Sequence, residues 1–279
     1  MAAPKIAVVI PTLTSPTSLE RLLLSLAKQT LPPVEVVVVA QKQPETAALI
    51  IASAYPSARM VTSSIGLSKA RNAGIYSLVS DWDVVALPDD DIEYSLNAFE
   101  NAAAHFISDL GAICGRVSPE DPSEETRIAF GTEPIDVNKK NVWSTTIEAG
   151  YFLSRHMMDR IGSYNEDLGL GAASQWKSGE GTEVLLRAIE GGFRVRYQPD
   201  VSMIEITDRA KQQEHDRKRL RDYARGTGRV YRLRYGLLGQ AELVIRSVGR
   251  LTLRGLRSRG STVRDDWAIL SGRVQGLLG

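Results

Sequence analysis

Two β-branched runs, residues 5–10 (KIAVVI) and 34–39 (VEVVVV), constrain this chain most. Each is too short for a core helix and too apolar for a loop, so each reads as a buried strand. Between them Leu19, Leu22, Leu23 and Leu26 share one face of a helix expected over residues 17–29, with Thr17 or Ser18 as its N-cap and Pro32-Pro33 as its stop. Strand, helix and strand at this spacing make a βαβ unit, and a βαβ unit makes a parallel sheet. The rhythm continues. A helix is expected over residues 47–54 and a strand over 58–62. The segment Gly66-Leu67-Ser68-Lys69-Ala70-Arg71-Asn72-Ala73-Gly74 opens another helix, and residues 84–87 form a strand. Further on, strands are expected at 111–116, 145–153 and 193–197, with a polar loop over 118–141. Helices are expected at 154–161 and at 184–190, the latter stopped by Gly191-Gly192. The class is α/β, a mostly parallel sheet flanked by helices.

The strand at 84–87 runs into Pro88 and three consecutive carboxylates, Asp89, Asp90 and Asp91. Adjacent anions repel one another, and a hard divalent cation with oxygen ligands, Mg²⁺ or Mn²⁺ shared with substrate phosphates, relieves that repulsion. In extended backbone Asp89 and Asp91 point one way and Asp90 the other. A plainer reading makes the acids an N-cap and first turn for a helix over residues 92–105. Ligands of open α/β sheets lie beyond the carboxyl ends of the strands. The loops after residues 10, 39 and 87 therefore converge, making Thr12, Gln41 and Asp89–Asp91 neighbours. Lys69 and Arg71 on the intervening helix are either phosphate partners or a solvated face. Near residue 180, Gly179-Glu180-Gly181 is a backbone bent to present a carboxylate. The alternative is Ser178 or Thr182 as N-cap, with Glu180 or Glu183 compensating the helix dipole.

The net charge of +1 hides an asymmetry: residues 209–279 hold 17 Lys/Arg against 6 Asp/Glu, and residues 1–208 hold 17 against 27. An acidic body and a basic arm suggest an anionic partner for the arm. The one cysteine, Cys114, excludes an intrachain disulfide. No apolar signal region precedes the first strand, and no apolar run approaches the roughly 18–20 residues of a membrane span. A cytoplasmic location is expected, peripheral on the inner face of the plasma membrane if the arm binds lipid.

Taken in order, VVIPTL, VEVVVV, GLSKARNAGI, LPDDD, EAGYFLSRHMMDRIGSYNEDLG and SGEGTEVLLRAIEGG resemble the family 2 glycosyltransferases over about residues 5–235. The resemblance implies an inverting enzyme of GT-A (Rossmann-like) fold. It implies a nucleoside-diphosphate sugar donor, of UDP or dTDP type, and a divalent metal, Mn²⁺ or Mg²⁺. It also implies a glycan or lipid-linked acceptor in cell-surface polysaccharide synthesis. Position by position, Asp91 becomes the firmest metal ligand, with Asp89 and Asp90 meeting metal, ribose or donor sugar. Pro11 and Thr12 form the first nucleotide loop, and Arg71 meets the nucleotide. Glu180 or Glu183 supplies the base. Three positions depart from the family pattern. Gln41 stands where an aspartate usually reads the nucleobase, and Gly181 replaces the aspartate of the usual Glu-Asp pair. Glu205 stands near where many relatives carry a metal-binding histidine, His215 lying further on.

These readings divide the chain into a transferase domain, 1–208, with a nucleotide half to about 115 and an acceptor half from 116, and a basic helical extension, 209–279. In the extension Ala241, Val244, Ile245, Val248 and Leu251 share one helix face, and Arg246, Arg250, Arg254 and Arg257 fall on the opposite one. That is the pattern of an interfacial helix on an anionic membrane surface, or of a helix packed on the body. Nucleic acid is not expected, because aromatic residues are sparse among the arginines. A nucleotidyltransferase is the competing enzyme class, but residues 11–16 (PTLTSP) lack the glycine-rich loop it needs. A non-catalytic nucleotide-sugar or membrane-binding protein is the third class.

Overall fold

The computed structural model describes residues 3–107, 109–123, 128–206, 217–257 and 261–279, with the side chains of residues 254–262 also outside the description. Two compact units divide the chain. The first comprises Met1–Ile65, Lys69–Tyr164 and Val184–Gln212, the second Gly66–Ser68, Asn165–Glu183 and Gln213–Gly279. In chain order the elements are β1 (Ile6–Thr12), α1 (Pro16–Ala27), β2 (Glu35–Ala40), α2 (Pro44–Ala54), β3 (Arg59–Thr62), α3 (Leu67–Ser77) and β4 (Val84–Ala86). Then come β5 (Ile92–Tyr94), α4 (Ala98–His105), β6 (Leu110–Pro119), β7 (Ile135–Val137), α5 (Val142–Thr145), a 3-10 turn (Glu148–Gly150), β8 (Tyr151–Ser154) and α6 (Arg155–Ile161). The chain continues through α7 (Glu180–Glu190), β9 (Arg194–Glu205), α8 (Arg217–Arg234), α9 (Leu237–Arg257) and α10 (Ser261–Leu278).

The first unit holds one mixed sheet in the order β3-β2-β1-β4-β8-β6-β9-β5, with β7 pairing β9. Strands β1 to β4 are parallel, as the βαβ rhythm requires. Strand β8 enters antiparallel between β4 and β6, β9 returns parallel to β6, and β5 and β7 close antiparallel on β9. The sheet is thus mostly parallel and the class α/β. Every residue of β1, β2 and β4 is buried, and Leu19, Leu22, Leu23 and Leu26 of α1 are fully enclosed. Behind the acid motif Tyr94, Phe99 and Phe152 pack edge to face, with centroids 5.0–6.0 Å apart.

Several local expectations are corrected. Helix α1 begins at Pro16 with Ser15 in the cap position, because proline at the first helical position loses no needed donor. Residues 92–105 are not one helix. Ile92 and Tyr94 alternate inward with period two and form β5 before α4 begins, so the acids do not cap a helix. The expected 145–153 strand is paired only from Tyr151, and it runs on to Ser154. Thr145 and Thr146 donate their hydroxyls back to Asn141 O and Val142 O, at 2.9 and 3.0 Å, and hold a helical turn there. The polar stretch 118–141 contains β7. Strand β9 runs past Pro199 to Glu205, because its register with β6 shifts between Gly115 and Arg116 and absorbs residues 199–201.

In the second unit α8 and α10 cross closely. A Cβ at Gly228 would lie 2.2 Å from Arg273 O, and one at Gly276 would lie 2.1 Å from Arg225 O. The Arg225-Gly226-Thr227-Gly228-Arg229 run therefore reads as a helix-crossing notch. No described helix is long and apolar enough to cross a membrane.

Candidate active site

In the first unit the site forms at the carboxyl ends of β1, β2 and β4. Pro11 and Thr12 are the buried last residues of β1. Thr12 Oγ1 donates to Asp90 Oδ2 at 2.5 Å and accepts from Thr14 N at 2.7 Å. Gln41, directly after β2, donates its N–H to Thr12 O at 3.0 Å. Thr12, Gln41 and the aspartates are thus brought together. The aspartate segment is pinned at both ends: Leu87 N donates to Tyr151 O at 3.2 Å, and Asp91 O accepts from Ile206 N at 2.7 Å. Ile92 pairs with Glu205 in the β5–β9 ladder, so Glu205 comes beside the motif.

Arg71 has no exposed surface, which sequence alone did not indicate. Its Nη2 lies 2.9 Å from Asp89 Oδ1, its Nη1 lies 2.6 Å from Glu148 Oε1, and its guanidinium sits 5.6 Å from the Tyr164 ring centre. A buried cation must be paired, and two carboxylates pair this one. Asp89 nevertheless keeps 43% of its side chain exposed. Glu148 was missed as a site residue. The sequence offered no local signal for it beyond a carboxylate in the 148–150 segment, 77 positions from its partner. Lys69 is half-buried and forms no ion pair among the described residues, which leaves it as the available cation on α3. Burial, and then the charge of Asp89, push the Tyr94 phenol well above its ordinary value, so it stays neutral.

Among the described residues no three His, Cys, Asp or Glu side chains form a metal cage. Mg²⁺-type sites built with substrate phosphates need only one or two carboxylates. The half-exposed Asp89 and Asp91 at a strand end fit that requirement.

In the second unit the carboxylates are enclosed: Glu180 is 5% exposed and Glu183 1%. Helix α7 begins at Glu180, not at Val184 as expected. Gly179 turns the chain with φ +92°, and Glu183 N donates to Gly179 O at 2.9 Å to close the first turn. The Glu180 carboxylate lies against Gly169, whose φ is +104°. A Cβ there would stand 2.9 Å from Glu180 Cδ. Helix α8 holds the segment that leads to it. Ser178 Oγ donates to Tyr223 O at 2.7 Å, and Gly226 leaves room for the Ser178 backbone. The Arg229 guanidinium lies 4.1 Å above the Trp176 ring, and Arg234 donates Nε and Nη2 to Glu183 Oε1, the former at 2.9 Å. His215 lies outside the described residues.

Comparison with known proteins agrees with this geometry. The family model described as Glycosyl transferase family 2 matches residues 7–160. No curated protein matches the chain. Among solved structures, the mannosyltransferase PcManGT from Pyrobaculum calidifontis, in complex with GDP-Man and Mn²⁺, superposes with a TM-score of 0.66 at 15% identity. The match covers 99% of this chain and 88% of that one. Residues 1–349 of S. aureus TarS give a TM-score of 0.57 at 16% identity, covering 97% and 90%. A longer TarS structure gives 0.56 at 18% identity, with 86% of this chain matched to 47% of that one. With the family model spanning more than half of its length, this chain belongs to glycosyl transferase family 2 and is a glycosyltransferase of GT-A fold.

Proposed function

We propose that this glycosyltransferase moves a sugar from a UDP- or dTDP-type nucleoside-diphosphate sugar to an acceptor hydroxyl, with inversion at the anomeric carbon. The observation that carries the donor assignment is the cluster of Thr12, Gln41 and Asp89–Asp91 at the strand ends, braced from below by the Arg71–Glu148 pair. The GDP-Man in the PcManGT complex supports a donor of the nucleotide-sugar class. Pro11, Thr12 and Gln41 bound the nucleoside. Lys69 faces phosphate oxygens, and Arg71 holds Asp89 in place. Asp91, Asp89 and Glu205 would hold a divalent cation, Mn²⁺ or Mg²⁺, which would supply positive charge for the departing diphosphate.

Glu180 is the general base. It takes the acceptor hydroxyl proton as that oxygen bonds to the anomeric carbon, and the carbon–phosphate-oxygen bond breaks with its electron pair leaving on the nucleoside diphosphate. Glu183 is already engaged by Arg234, so its part is to hold the start of α7. The acceptor is a glycan or lipid-linked glycan of cell-surface polysaccharide synthesis, met by a peripheral enzyme at an anionic membrane surface. Calorimetry with UDP, dTDP and GDP, each with Mn²⁺, tests the donor half. One nucleotide should bind only with metal, and Asp91→Asn should abolish that binding without lowering the melting temperature. Unchanged affinity in Asp91→Asn removes the metal assignment.

A further inference from the structure

Helix α9 is packed in reverse. An amphipathic helix on a soluble body normally turns its apolar stripe inward. Here the inward face is polar: Ser247 is 4% exposed and accepts from Arg273 Nη1 at 2.8 Å, and Arg250 Nε reaches the buried Asp266 Oδ1 at 3.0 Å. Leu243 is the apolar residue buried among them. The outward face carries Leu237, Leu238, Ile245 and Val248, of which Leu238 is 89% exposed and Ile245 69%. At about 100° per residue these four and Ala241 fall within roughly 100° of arc, opposite Leu243, Ser247 and Arg250. This is a contiguous stripe, not a scatter of single exposed side chains. Beyond the Leu238 edge of the stripe stand Glu242 and then Arg246, both exposed and paired with each other at 2.6 Å.

We infer that this stripe is the surface on which the protein docks to an anionic lipid bilayer. Charge decides between the two coverings that such a stripe invites. Helix α9 carries four arginines against one glutamate, within a segment of 17 Lys/Arg against 6 Asp/Glu. A second copy would bring like charges together, whereas acidic headgroups complement them while the stripe enters the boundary with the acyl chains. The inference deepens the proposed meeting with a membrane-borne acceptor. It rests on that reading for its purpose, but its test needs no donor.

The full chain is sedimented with vesicles of phosphatidylglycerol and phosphatidylcholine in equal parts, and with vesicles of phosphatidylcholine alone. Binding is expected to the mixed vesicles, weakening as NaCl rises from about 0.1 to about 0.5 M. Ile245→Asp and Leu238→Asp should each lower partitioning at least about tenfold with no change in melting temperature. Arg246→Gln should lower it about fivefold on the anionic vesicles alone. Equal sedimentation with both vesicle types, or full binding by Ile245→Asp, overturns the inference. So does a dimer in sedimentation velocity that Ile245→Asp dissolves, since it gives the stripe to a second copy. Loss of vesicle binding alongside intact metal-dependent nucleotide binding removes the docking surface and leaves the transferase reading standing.

Discussion

The two units each hold a pair of acids with an arginine, and they arrange them in opposite senses. In the sheet unit the cation is enclosed: Arg71 has no exposed surface, while Asp89 on one side of it remains 43% exposed. In the second unit the acids are enclosed, Glu183 at 1%, and the covering Arg234 keeps a quarter of its side chain exposed. The first arrangement displays carboxylate oxygens to a ligand, with a fixed positive charge beneath them. The second withdraws its carboxylates from water and covers one of them with an arginine. On the proposed roles, the first polarity grips a charged donor and the second takes a proton.

The largest expected effect tests the second arrangement. Glu180→Gln should lower transfer from the donor found in the nucleotide screen by ~10²–10⁴-fold, with that nucleotide bound as before. Glu183→Gln should mainly lower the melting temperature. Steady-state kinetics showing the reverse order would move the base to Glu183 and leave the comparison without its catalytic half. Next comes the enclosed cation. Arg71→Met leaves Glu148 without its charge partner and should destabilise by about 3 kcal/mol, the low end for a broken buried pair because Asp89 is partly solvated. Adding Glu148→Gln should recover part of that loss in chemical denaturation, and full additivity of the two losses would break the claim that they form one network.

The smallest effect is a control from the same sheet. Glu35 on β2 accepts from Val79 N and Ser80 N and pairs with Arg59, far from any acid motif. Burial alone would raise its carboxyl, but the Ser80 amide, Arg59 and the Val79 amide together hold it below its ordinary value. A lowered folded-state pKa contributes stability above about pH 4.5 that is lost as pH falls through the folded value. Glu35→Gln should therefore cost about 1 kcal/mol at pH 7 and progressively less as the pH falls from about 4.5 through the folded value, with transfer unaffected. A pH-independent cost would show that packing, not charge, is at work there.

What sequence made legible follows the same division. The first four strands and α1 were plain because their signals are local: β-branched runs, a leucine stripe and a proline stop lie within single elements. The convergence of Thr12, Gln41 and the aspartates followed from topology alone, since parallel strands must end on one side. Glu148 was hidden because its partner is 77 positions away and its backbone is a 3-10 turn between two short elements. The start of α7 was misplaced because Gly179 and Gly181 look like loop residues, whereas the positive φ of Gly179 is what starts the helix. Nor could a helical wheel show which side of α9 faces its neighbours. That depends on Asp266 and Arg273, one helix further on.

Strand β8 carries a consequence for how the sheet is assembled. It lies hydrogen-bonded between β4 and β6, with Val85 and Ala112 both opposite Leu153. The first 115 residues therefore have no finished border of their own. A fragment ending near residue 115 would leave the apolar flank of β4 bare, with Val84, Val85 and Ala86 offering unmatched amides and carbonyls. Bare flanks of that kind recruit other chains. Because β4 and β8 are separated by some sixty residues of sequence, that seam closes only after a long loop has been gathered in, which favours slow folding. The hazard for this enzyme thus lies in the interval before β8 is inserted, when the strand-end cluster of Thr12, Gln41 and the aspartates is nearly built and its sheet is still open.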